Sequence, residues 1–213
     1  IKCCQGICYA IQSLGSSRVP VNPVVANKLY DTVCLLKLCY GMELMDLDND
    51  TIVSLEQFHS HNAKLFQGLP HQTANIGSLG TIGWKSLLCK LDQNRLMFMW
   101  KILLLPTTNL YKRLLLRRIL QLINDGSGTG PIWQCLQTCE KYNMLDDVVQ
   151  CVLDGNYPSN NEFRKHVKQT ISEKYEKSWR MSCVMYKSVA MLHTKNGDIL
   201  SIWWSHANHY PED

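Results

Sequence analysis

Leu110-Tyr111-Lys112-Arg113-Leu114-Leu115-Leu116-Arg117-Arg118-Ile119-Leu120-Gln121-Leu122-Ile123 reads as one amphipathic helix. At 100° per residue, Leu115, Leu116, Ile119, Leu122 and Ile123 cover one broad side, while Arg113, Arg117, Arg118 and Gln121 gather on the other. Upstream, Pro106-Thr107-Thr108-Asn109 separates this helix from a second long apolar one over 84–105. Downstream, Asn124-Asp125-Gly126-Ser127-Gly128-Thr129-Gly130-Pro131 is a connector by composition. It lacks the Lys-Ser/Thr ending and the preceding strand of a phosphate-binding loop. A domain boundary is expected there or near Gly83.

Helical spacing continues in both directions. Asn22 before Pro23 is an N-cap followed by proline at the first helical position. Val25, Leu29, Val33, Leu36 and Tyr40 then recur at steps of three and four, which predicts a core-facing stripe that weakens at Gly41. After the turn Asp48-Asn49-Asp50, residues Ile52, Leu55, Phe58, Asn62, Leu65 and Phe66 trace another helix, so an antiparallel pair joined by an acidic turn is expected. Gly77, Gly80 and Gly83 make 71–83 the least regular part of the first half and a candidate hinge. Beyond Pro131, short helices over 133–141 and 145–153 lead to the turn Gly155-Asn156-Tyr157-Pro158. Ser159 and Glu162 there have the form of a capping box that opens a helix from about Asn160 to Trp179. Few segments alternate at period two and no solenoid repeat is present. The expected fold is all-α: a bundle-like helical segment over 1–83, a basic helical pair over 84–124 and a small helical subdomain over 131–213. The longest helices are expected within 23–47, 84–105 and 110–123.

Composition narrows the class. The chain has 213 residues, 46% hydrophobic and 19% charged, enough to bury a sizeable core. No stretch approaches the ~18 uninterrupted apolar residues of a membrane span. Ten cysteines are scattered through helical patterns, with Cys4/Cys8 and Cys135/Cys139 on shared helix faces. They read as small buried residues of a reduced, intracellular protein, nuclear or cytoplasmic, rather than a disulfide framework. The start at Ile1 without methionine suggests a segment of something longer. The net charge of +4 is unevenly spread: 31–56 carries six acids against the base Lys37, whereas 84–120 carries eight bases against the acid Asp92. The basic half is the one suited to phosphate.

The chain also holds an ordered series of short landmarks: Asn22-Pro23, Leu29-Tyr30, Cys39-Tyr40-Gly41-Met42-Glu43, Leu55-Glu56-Gln57-Phe58-His59 and Gln67-Gly68-Leu69-Pro70. Leu91-Asp92, Arg95-Leu96-Met97-Phe98, Leu105-Pro106, Tyr111-Lys112-Arg113-Leu114, Lys141-Tyr142-Asn143-Met144-Leu145, Gly155-Asn156-Tyr157-Pro158-Ser159 and Tyr175-Glu176-Lys177-Ser178-Trp179-Arg180 extend it over nearly the whole length. In this order they resemble the region just downstream of the polymerase core, the thumb and post-thumb segment, of non-LTR (LINE-type) retrotransposon reverse transcriptases. The resemblance implies a non-catalytic part of an RNA-directed DNA polymerase that helps hold template–primer RNA/DNA beside the upstream core. The catalytic aspartates of such a parent would lie outside this chain.

Local chemistry agrees with a binding role rather than catalysis. Asp146-Asp147 sits in a helical pattern without the preceding aromatic and without a strand–turn–strand, and reads as acids in a first helical turn after an Asn143 cap. His59-x-His61 and His206-x-x-His209 are not accompanied by any Cys-x-x-Cys, so no structural zinc is expected. No Gly-x-Ser-x-Gly nucleophile elbow occurs. His59 reads as a packing or capping residue. No catalytic residue, metal or cofactor is assigned. The expected nucleic-acid contacts are Arg95, Lys101, Arg113, Arg117 and Arg118, with a second strip of Lys165, Lys168 and Arg180, where Arg180 stands beside Trp179 as a possible base-stacking pair. A second reading is a free-standing helical interaction module from a decayed or domesticated retroelement, docking on protein through its apolar faces.

Overall fold

The computed structural model describes residues 2–14 and 22–185. Every regular element among them is helical and none is a strand. In order they are α1 (Lys2–Ser13), α2 (Pro23–Leu29), a π-helical stretch (Tyr30–Leu35), α3 (Leu36–Leu38), a 3-10 turn (Met42–Leu44), α4 (Asn49–Phe66), α5 (Asn75–Ile82), α6 (Leu87–Leu103), α7 (Leu110–Asp125), α8 (Pro131–Lys141), α9 (Leu145–Asp154) and α10 (Asn160–Met185). The all-α class follows from the three- and four-residue apolar spacing. Two compact units form: among the described residues, one holds 2–14, 22–40, 49–87 and 176–185, and the other 41–48 and 88–175. The segment expected over 1–83 thus contributes to both, and the connector 124–131 lies inside the second unit.

In the first unit the core is built on an aromatic stack. Tyr30 and His59 each stack on Trp84, at 4.3 and 4.7 Å between ring centroids, and Phe66 meets Tyr30 and Trp84 edge-on. The Asn22 side chain caps α2 by accepting from the Val24 amide at 2.8 Å. The expected core stripe of that helix is nevertheless the wrong face. Val33, Leu36 and Tyr40 are 48%, 64% and 88% exposed, and Val25 is exposed too, whereas Ala26, Tyr30, Cys34 and Leu38 are buried. A π-helical stretch adds a residue to the turn, so the i,i+4 series that begins at Ala26 stays on the core side. Ala26 permits close approach and Tyr30 finds two ring partners, which outweighs the aliphatic stripe one position earlier.

The glycine-rich 71–83 stretch is not a hinge: α5 runs through it with Gly77 and Gly80 buried. A Cβ on Gly80 would fall 2.5 Å from Cζ2 of Trp179, so this glycine is there for contact with the indole. Gly83, at φ 77°, ends α5 in a left-handed cap in which the Trp84 amide reaches back to the Leu79 carbonyl at 2.8 Å.

The second unit packs α6 to α9 and the first part of α10 around Trp100. Trp100 stacks on Phe163 at 3.8 Å and donates through Nε1 to the Pro158 carbonyl at 3.3 Å, with Leu96, Leu103, Leu115, Ile119, Leu136 and Val167 around it. The capping box is present: the Ser159 amide donates to Glu162 Oε2 at 2.8 Å and the Glu162 amide to Ser159 Oγ at 3.3 Å. With no glycine or proline to stop it, α10 then runs for 26 residues, the longest helix among the described residues. The expectation that the longest helices lie within 23–47, 84–105 and 110–123 is corrected accordingly. Asn143 does not cap α9. At φ 55° it ends α8, with the Met144 amide donating to the Cys139 carbonyl at 2.8 Å and its own amide to that of Glu140.

Candidate nucleic-acid interface

Asn109 starts α7 by accepting from the Tyr111 amide at 2.9 Å, and Gly126 closes it in the left-handed conformation. Leu115, Ile119 and Leu122 are buried and fix the rotation of the helix. Arg113 and Arg117, one turn apart, therefore project from the opposite side, exposed and without an acid partner among the described residues. Arg118 is half-buried and donates from Nη1 to Gln121 Oε1 at 3.1 Å. Three of the expected contacts thus share α7.

The same face is not purely basic. Leu110 and Leu114 are 62% and 53% exposed, and Tyr111 and Leu120 are exposed as well, so apolar side chains interleave with the guanidinium groups. Lys112, counted among the bases of this segment, turns inward: it is buried with Nζ 4.3 Å from the centre of the Tyr157 ring. The wheel itself carries this interleaving: at 100° per residue Leu110 and Leu114 fall between Arg117 and Arg118, and Lys112 falls between Ile119 and Ile123 on the apolar side.

The other expected contacts fall in different places. Arg95 is buried on α6, with Nη1 3.6 Å from Asp92 and Nη2 3.5 Å from the Met45 carbonyl, while its Nε has no partner. It belongs to a polar knot in which buried Asp92 also accepts from Lys141 Nζ at 2.6 Å and from the Tyr142 hydroxyl at 2.9 Å. Burial, with Asp92 alongside, pushes the Tyr142 hydroxyl up, so it stays a donor. Lys101 on α6 and Lys165 and Lys168 on α10 are exposed, the last two three residues apart on one helix face. Arg180 is exposed but lies in the first unit, and Trp179 beside it is spent in the core, donating through Nε1 to the Ile76 carbonyl at 3.2 Å. The base-stacking role for Trp179 is therefore withdrawn.

Residues weighed for chemistry take structural positions. Asp146 and Asp147 are exposed in the first turn of α9, where acids offset the positive end of the helix. His59 is buried, with Nδ1 3.0 Å from the Tyr30 hydroxyl and Nε2 3.0 Å from the Lys85 carbonyl. The carbonyl requires Nε2 to carry the proton, which leaves Nδ1 to accept from Tyr30. Burial holds its pKa below the ordinary histidine value, and the ring is a neutral packing group. His206 and His209 lie outside the described residues. Among the described residues, no group of three or more His, Cys, Asp or Glu could hold a metal ion, and no helix is long and apolar enough to cross a membrane.

No protein-family model matches the chain, and no curated protein and no solved structure is significantly similar to it.

Proposed function

We propose that this chain is a non-catalytic, nucleic-acid-binding helical segment of a retrotransposon-type reverse transcriptase, with α7 laid against the phosphate backbone of template and primer. The observation that carries the reading is the pair of exposed arginines, Arg113 and Arg117, free of acid partners among the described residues on a helix anchored by Leu115, Ile119 and Leu122. Guanidinium groups one turn apart can donate to successive phosphate oxygens, and such contacts are independent of base sequence. The ordered landmarks from Asn22-Pro23 to Trp179-Arg180 supply the polymerase context, in which the upstream core does the chemistry.

The exposed leucines of the same face favour a second reading, a helical protein-interaction module. Fluorescence anisotropy on labelled single-stranded RNA and on duplex separates the two. Under the first reading the parent binds both in a salt-sensitive manner, and replacing Arg113, Arg117 and Arg118 together with Gln weakens binding by about tenfold or more. Changing Leu110, Leu114 and Leu120 to Gln leaves that binding intact. If the arginine variant binds as the parent does, the interaction-module reading takes precedence.

A further inference from the structure

A cavity of about 510 Å³ opens in the first unit beside α4, lined by Ser54, Gln57, His61, Lys64, His71 and Asn75 among others. Among the described residues, no aspartate or glutamate lines it. Lys64 is 8% exposed, and its ammonium has one partner among the described residues, the His71 carbonyl at 2.8 Å. An ammonium has three protons to donate, and a buried cation is costly to leave with so few acceptors. The other buried cations are provided for, Arg95 by Asp92 and Lys112 by the Tyr157 ring. His61, three residues before Lys64 on α4, and His71, within the connection from α4 to α5, place their rings 6.1 Å apart. The cavity thus gathers one cation without a counter-charge among the described residues and two imidazoles against a wall of neutral hydrogen-bonding groups.

That donor set fits an anion with several acceptor oxygens. The volume lies within the roughly 300–1,000 Å³ of small-ligand sites and exceeds what a bare phosphate fills. We propose that the α4 cavity around Lys64 binds the phosphate of a small phosphomonoester of about nucleotide size, with Lys64, His61 and His71 on the phosphate and Ser54, Gln57 and Asn75 on the neutral remainder. This site is on a different unit from the α7 arginines and does not depend on them.

Isothermal titration of the full chain with adenosine monophosphate, adenosine and inorganic phosphate tests it. The monophosphate should bind about tenfold or more tightly than the nucleoside, as charge-assisted hydrogen bonds to one phosphate imply. His61→Gln, at an exposed position, should weaken monophosphate binding about threefold or more and leave circular dichroism unchanged, and Lys64→Gln should weaken it further. The triple Gln variant of Arg113, Arg117 and Arg118 should bind the monophosphate as the parent does. Equal affinity for monophosphate and nucleoside, no binding of either, an unaffected His61→Gln, or loss in the α7 variant would each overturn the proposal.

Discussion

His59 is enclosed by Tyr30, Trp84 and the Lys85 carbonyl, and burial lowers its pKa below that of the free side chain. Below the ordinary histidine value of about 6.5 the unfolded chain takes up a proton that the folded chain refuses, so stability is full above that pH and falls as pH drops through it. The slope from this one site is up to about 1.4 kcal/mol per pH unit. Urea midpoints between pH 8 and pH 5 should fall in the parent and fall less in His59→Gln; parallel curves would contradict the neutral assignment. At Gly80 the constraint is steric. Gly80→Ala should cost about 1–3 kcal/mol, because its Cβ meets the Trp179 ring and the ring is fixed by its bond to Ile76. An unchanged denaturation midpoint would show that the ring yields. A glycine read as a hinge by composition turns out to be a packing residue because composition cannot name the indole that presses on it, about a hundred positions away in the chain.

At the scale of elements, the α2-to-α3 run shows how a single π-helical stretch inverts a face assignment. Val33→Ser and Leu36→Ser should change stability by less than about 0.5 kcal/mol each, whereas Leu38→Ala should cost about 2–5 kcal/mol. Chemical denaturation of the three variants decides, and large losses at Val33 and Leu36 would restore the stripe drawn from spacing alone. The caps at Asn22 and in the Ser159/Glu162 box were legible because their cause is local, each satisfying amides within three residues, whereas Asn143, taken for a cap of α9, ends α8 instead. The burial of Arg95 and Lys112 follows the same helical geometry, since at 100° per residue Asp92 and Arg95 fall on the side of Leu96, Met99 and Leu103, and Lys112 falls between Ile119 and Ile123; the Tyr157 ring, 45 positions from Lys112, is what no local pattern shows. The outward placement of Arg113 and Arg117 was legible because leucines on the far side fix the rotation without reference to any distant residue.

Across the whole molecule the cysteines tell the same story of burial. None of the ten forms a disulfide, and only Cys3 is exposed. Cys8 and Cys34 lie with sulfurs 3.6 Å apart; that contact, and burial, push the Cys34 thiol up, while burial, joined at Cys139 by the neighbouring Cys135, brings Cys135 and Cys139 up to about 12. Thiolate-directed labelling of native protein at pH 8 should therefore modify Cys3 first and spare Cys8, Cys34, Cys135 and Cys139 until unfolding. Fast modification of Cys34 would count against the packing of the first unit. The cavity beside Lys64 had only a faint signature in sequence, His61 and Lys64 three apart on α4, because His71 and Asn75 join it only through the turn that follows. The central claim is that Arg113, Arg117 and Arg118 bind phosphate, and the slope of log affinity against log salt reads this directly. Each lost contact lowers the slope by about 0.7 to 0.9, so the triple Gln variant should show a slope shallower by about 2 to 3 than the parent at unchanged stability; identical slopes would contradict the account.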